Sequence, residues 1–291
     1  MKLISTIYPT SEDEKVHFFA KYPTYIYQDD NGQFFIATKY ETFPQKKLFS
    51  ICESYFTPLS YVLKIADAIQ MPYKEIKRKS AFYSKLYTIQ FGTEKQREKF
   101  IHDQDWRVRA TVFQYGSNEQ RQKLMQDKDD HVRVFIVEHS TNEERECFMN
   151  DKSLHVRAAI VKHGTNEQRD RLIDDESPYV RSHIVIYGTY QQRQKLIHDK
   201  SEEVRSTIVQ YGTVEQRNQL MNDENERVRA TIIQHLTHEQ LEPFIYDKSA
   251  LVRATVVAYC SDEQRQKLIN DEDSFVRQRA EFYNNKRKQL I

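Results

Sequence analysis

A block of 24 residues recurs eight times without a gap over residues 92–283. A period of that length means small units that cannot bury an apolar face alone and do so by stacking. Two columns never vary. Asp103, Asp127, Asp151, Asp175, Asp199, Asp223, Asp247 and Asp271 form one, and six residues later Arg109, Arg133, Arg157, Arg181, Arg205, Arg229, Arg253 and Arg277 form the other.

Every unit opens with Thr or Ser followed three residues on by Gln or Glu, as in Thr189 with Gln192 and Ser261 with Gln264. This is a capping box, and it predicts a helix of about nine residues ending near the Asp. Five of the eight caps follow a Gly, which predicts a left-handed termination of the preceding helix. Two residues past each Asp stands a second capping residue, among them Asp105, Ser153, Ser201 and Asn225, so a second short helix begins there. In the fifth unit its apolar positions are Val204, Ile208, Val209 and Tyr211, a single buried face. Isolated helices below roughly 12 to 15 residues are marginal in water, so the stacking must supply the stability.

At about 100° per residue Arg205 falls inside that apolar arc. A guanidinium there is costly unless paired, and the invariant Asp is the natural partner. The two columns therefore read as an internal ladder that sets the register between units, with a row of arginines gripping phosphates as the functional alternative. D-x-x-x-x-V-R, an aliphatic pair and then G-T within a 24-residue period resembles the leucine-rich repeat variant family, and the Asp–Arg spacing resembles the ladder of HEAT repeats. The resemblance implies a right-handed α-solenoid of helical pairs, one helix of each partly 3₁₀, serving as a binding surface. The chain departs from the family in having only Pro178 and Pro243 within the array.

Residues 1–91 lie outside the period. Ser11 with Glu14 predicts a helix to about Tyr22, and Thr24 to Lys39 a hairpin turning at Asn31-Gly32. Further helices are expected near 45–55, 58–70 and 73–87. The expected fold is mainly α, a solenoid of eight two-helix repeats behind a small N-terminal α+β cap, closed by a basic tail at 284–291. Ala280 and Glu281 in the apolar columns read as a polar terminal unit.

The chain carries 44 Lys and Arg against 43 Asp and Glu, far from the excess of an obligate nucleic-acid or membrane-surface binder. The three cysteines are scattered with no C-x-x-C, which indicates neither a disulfide framework nor a zinc site and fits a reducing cytoplasm. No apolar run reaches the roughly 20 residues of a membrane span, and the start has too short an apolar stretch for a signal peptide. There is no Gly-rich phosphate loop, H-E-x-x-H or G-x-S-x-G, so neither catalysis nor a cofactor is expected. His139, His163 and His235 share a column with Tyr115, Tyr187, Tyr211, Tyr259 and Tyr283, which reads as structural at helix C-termini rather than metal-binding.

The first helices carry Arg97, Arg121, Arg145, Arg169, Arg193, Arg217 and Arg265. These read either as an anion-binding stripe or, given Glu119 with Lys123, Glu167 with Arg171 and Glu263 with Lys267, as a charge-balanced outer surface. On the exposed sector of the second helices, repeats 5 and 6 offer Glu203, Thr207, Gln210 and Arg227, Thr231, Gln234. Repeats 2 to 4 instead offer His131, Phe135, His155, Tyr179, His183 and Ile186. That cluster is either a contact patch or a surface covered by the N-terminal segment. The expected function is protein binding or scaffolding through the second-helix face of repeats 2–4. The alternative is a nucleic-acid-binding or nucleic-acid-processing protein, supported by the arginine columns, the basic aromatic stretch at 73–87 and the tail Lys286, Arg287, Lys288.

Overall fold

The computed structural model describes residues 1–8, 23–38, 42–48, 59–72, 74–75 and 80–288. It divides into two compact units, Met1–Ile136 and Val137–Ile291.

The first unit opens with an antiparallel sheet of four strands in sequence order, β1 (Lys2–Ile7), β2 (Thr24–Gln28), β3 (Phe34–Ala37) and β4 (Thr42–Pro44). The β2–β3 hairpin forms as expected, but Asp29 organises its turn. The Asp29 carboxylate accepts the N–H groups of Asn31 and Gln33 at 3.0 and 2.8 Å, and Gly32 takes the positive φ of 78° that closes it. Ile26 and Ile36 are fully buried. Helix Leu59–Ala68 contributes Tyr61, Val62 and Ile65 to the core, and the Tyr61 hydroxyl donates to Thr24 Oγ1 at 2.8 Å. Strands β1 and β4 are not legible in the sequence because neither is flanked by a hairpin turn signal such as Asn31-Gly32, and β4 is only three residues long.

The expected helix at 11–22 lies outside the described residues, as does most of that at 45–55, where Gln45–Lys47 is 3₁₀. The expected helix at 73–87 is corrected. Ser80 is extended and its side chain accepts from Tyr83 N–H, so a new helix starts at Ala81 and runs to Phe91. Lys85 on that helix stands 24 residues before Arg109 and reaches Asp103 at 2.7 Å, so the cap supplies its own rung to the ladder.

In the repeats all eight capping boxes close. First helices are short, for example Tyr190–Lys195, and second helices are mostly ten residues, for example Glu202–Tyr211. In the second unit the helices Leu154–His163, Pro178–Tyr187, Glu202–Tyr211, Glu226–Ile232, Ala250–Val256 and Ser274–Lys288 each pack on the next. The valine at the same place in every second helix, from Val108 to Val276, is fully buried. The fold is an α-solenoid with a small α+β cap. Some helices tighten to 3₁₀ at an end, as at Ile233–His235 and Glu242–Tyr246.

The glycine column has a different cause from the one expected. Gly116, Gly188 and Gly212 have φ near −80° and extended ψ, so no left-handed cap forms. Side-chain space decides the matter: a Cβ on Gly188 would lie 2.4 Å from Ile184 O and 2.7 Å from Gln192 Oε1.

The capping-box glutamines also join neighbouring units. Gln168, Gln192, Gln216 and Gln264 are buried. Each Oε1 accepts the cap N–H, and each Nε2 donates to a carbonyl 26 residues back, Asn142, Asn166, Tyr190 and His238, at 2.6–3.2 Å. A glutamate fits the capping box equally well but has no N–H to give. Gln192→Glu is therefore expected to lower the stability of the array by about 1–3 kcal/mol, the penalty of an unmet buried polar group, read as a shift in the urea midpoint.

Candidate partner-binding face

The Asp–Arg ladder separates the interior of the stack from its surface. Arg205 Nε donates to Asp223 Oδ2 at 2.7 Å and its Nη2 to Oδ1 at 3.0 Å, a bidentate pair between consecutive repeats. The same pair joins Arg157 to Asp175, Arg181 to Asp199, Arg229 to Asp247 and Arg253 to Asp271 in the second unit, and Arg109 to Asp127 in the first. The remaining nitrogen, Nη1, donates to the carbonyl of the Asp six residues back, at 2.6 Å from Arg205 to Asp199 O. Arg133 and Arg277 make that bond to Asp127 and Asp271. Each Asp in turn accepts the N–H of the next helix cap, as Asp151 does from Ser153 at 2.8 Å. The side chains of Arg205 and Asp223 are 8 % and 5 % exposed. Burial pushes the Asp247 carboxyl up, but the hydrogen bonds from Arg229 and Ser249 N–H outweigh it and hold the group below the usual carboxylate range.

The first-helix arginines, from Arg97 to Arg265, engage groups of the repeats themselves. They fold back onto the C-terminus of the preceding second helix. Arg145, Arg169, Arg217 and Arg265 donate through Nε to Val137, Val161, Val209 and Val257 O, while Arg97 and Arg193 reach Ile89 and Val185 O through Nη1. Cations are favoured at that end of a helix. Arg121 lies over the Phe113 ring at 4.1 Å. Arg145 and Arg265 are buried. Glu119 and Lys123 do pair, but the dominant surface ion pairs bridge neighbouring first helices, Lys195 to Asp170 and Lys267 to Glu242.

The ladder arginines from Arg109 to Arg253 are buried, and the exposed sector of the second helices differs from repeat to repeat in the side chains it presents. In the first unit His131 stacks on Trp106 with centroids 5.2 Å apart, and its Nδ1 lies 3.1 Å from Asp129 Oδ1; Phe135 is half-buried. In the second unit the rings of His155, Tyr179, His183 and Tyr187 follow one another at 5.5, 4.3 and 6.0 Å, with Ile186 half-buried beside them. Tyr179 is 42 % exposed, and His131 and His155 are also exposed. The Tyr and His column is not structural throughout: Tyr187, Tyr211 and Tyr259 are exposed. Trp106 and Tyr187 were the residues missed, although Trp106 is the single Trp of the chain.

Asp129, Asp130 and His131 hold potential ligand atoms within 4.8 Å of one another. Asp129 is already engaged there by His131 N–H and the Arg109 guanidinium. Among the described residues no helix is long and apolar enough to cross a membrane.

No protein-family model and no curated protein matches the chain. Among solved structures, a leucine-rich repeat variant is similar at 22 % identity with a TM-score of 0.53, over 64 % of this chain and 80 % of that one. This is a helical repeat protein with the leucine-rich repeat variant fold. Designed armadillo repeat proteins also match, one in complex with the peptide (KR)4, at 20 % identity with a TM-score of 0.17 over 64 % of this chain and 95 % of that one.

Proposed function

We propose that the protein is a non-catalytic scaffold that binds another protein through the second-helix face of repeats 2–4. The observation that carries this reading is the accessible run of rings from His155 through Tyr179 and His183 to Tyr187, on a framework whose fifth and sixth repeats present Glu203, Thr207, Gln210 and Arg227, Thr231, Gln234 at the same places. Clustered aromatic side chains on an accessible, rigid face are what binding hot spots are made of. Nucleic-acid binding is the weaker reading because both arginine rows face carboxylates, carbonyls or a ring within the stack.

The test is affinity capture from the native cell with wild-type chain, with Tyr179→Ala/Ile186→Ser, and with Glu203→Ala/Gln210→Ala as the control, each with and without nuclease. A specific protein retained by wild type and control but reduced at least tenfold by the first variant is expected, unaffected by nuclease. Equal retention by wild type and both variants removes this face from the account, and loss on nuclease treatment turns it toward nucleic acid.

A further inference from the structure

The last repeat breaks the pattern of the exposed sector at three places at once. Where repeats 5 and 6 have Glu203 and Arg227, it has Phe275, and where they have Gln210 and Gln234, it has Phe282. Where they have Thr207 and Thr231, whose hydroxyls each bond the carbonyl one turn back at 2.8 Å, it has Arg279. Phe275 and Phe282 are 56 % and 60 % exposed. The terminal unit of a stack is the one expected to be polar, since it meets solvent on an extra side. Here Ala280 is buried while two phenylalanines face outward on helix Ser274–Lys288, contrary to the polar end read from Ala280 and Glu281.

Between these two rings lies an open hollow of about 460 Å³ lined by Phe275, Gln278, Arg279, Phe282 and Tyr283. Arg279 lies over the Tyr283 ring at 6.0 Å, and its Nε is buried with no hydrogen-bond partner. Among the described residues it meets no carboxylate. Arg277 on the same helix is also incomplete. It bonds the carbonyls of Asp271 and Glu272 through Nη1, and among the described residues no carboxylate pairs with it as Asp223 pairs with Arg205. Two exposed apolar rings flanking an unmatched guanidinium form a recess complementary to an apolar segment that carries its own negative charge.

We infer that helix Ser274–Lys288 is a second docking surface, which takes a segment of another protein with an Asp or Glu set between apolar side chains. The rings receive the apolar residues, and the carboxylate takes the fork of Arg279. This inference goes beyond the face of repeats 2–4 and does not depend on it.

The test is selection of a random peptide library on the full-length chain, followed by titration of the enriched peptides as labelled synthetic probes. Peptides with Asp or Glu within four residues of Leu, Phe or Trp are expected to dominate. Phe275→Ala/Phe282→Ala should weaken them at least tenfold, and Arg279→Gln should weaken them about tenfold and flatten the salt dependence. Tyr179→Ala/Ile186→Ser should bind them as wild type does, which separates this result from the fate of the other face. All substituted side chains are at least partly exposed, and thermal unfolding of each variant checks that the stack is intact. Enrichment without acidic residues, or binding indifferent to the Phe275 and Phe282 substitutions, overturns the inference. It is also overturned if no acidic peptide is enriched and vesicles of phosphatidylserine and phosphatidylcholine are captured through the two phenylalanines.

Discussion

Arg205→Ala is expected to destabilise the array by about 3–5 kcal/mol, the cost of leaving a buried carboxylate without its partner. Asp223 would then face a cavity with its Oδ2 unmet while Oδ1 still holds Asn225 N–H. Asp223→Asn tests the charge separately from the shape: it keeps an acceptor for one guanidinium N–H but loses the bidentate ionic pair, and a smaller loss is expected. Replacing both residues with apolar ones would be nearly neutral for a simple buried pair. Here it should still be destabilising, because Nη1 also satisfies Asp199 O and Asp223 also caps the next helix. Repeat arrays need not unfold in one step, so the readout is amide hydrogen exchange across residues 188–235 together with the urea midpoint.

The same rungs give the pH dependence. Asp247 and Asp271 have folded pKa values below their unfolded ones, so the stability they contribute is fully present above about pH 4. It is lost as pH falls through the depressed folded values. A urea midpoint that holds from neutral pH to that point and then drops is the expected profile.

Gly188→Ala should have the next largest effect, about 2–3 kcal/mol, as expected when a methyl group is forced into a closed site. Its Cβ would meet the Ile184 carbonyl, which already accepts Gly188 N–H at 2.8 Å, and the Gln192 Oε1 that completes the capping box. A left-handed cap would make Gly188→Asn milder than Gly188→Ala, because Asn tolerates positive φ. With φ at −85° the order predicted is the reverse or equal. The positions that lack glycine show what accommodation involves. Before Leu236 the helix ends at Ile232 and tightens to 3₁₀ over Ile233–His235, and before Cys260 it ends at Val256, whereas before the small Ser140 it runs its full length, Asp130–His139.

Much of this was legible because a repeat states each local rule eight times. The capping boxes, the valine column and the placement of Arg205 among apolar residues follow from spacing alone. Less legible was anything that depends on which neighbour lies above a helix end. Arg145 and Arg265 sit on helices of four and seven residues, too short for one turn to define a face, so the outer-surface reading missed the carbonyls of the preceding helix. Gln192 was read as a cap and not as a bridge, since its Nε2 reaches Asn166 O, 26 residues away. Gly188 was misread because glycine answers to crowding as well as to positive φ. Phe275 and Phe282 are less legible because Ala280 and Glu281 in the apolar columns of the same helix point to a polar end.

The central claim is that the invariant guanidinium groups are locked between layers, leaving the second-helix face free for a partner. Guanidine-selective labelling of the native chain with phenylglyoxal, mapped by mass spectrometry, tests it directly. Arg157, Arg181, Arg205, Arg229 and Arg253 should remain unmodified while Arg171 and Arg227 react, and all should react in denaturant. Modification of the ladder arginines in the native state at the rate of Arg227 would contradict the account.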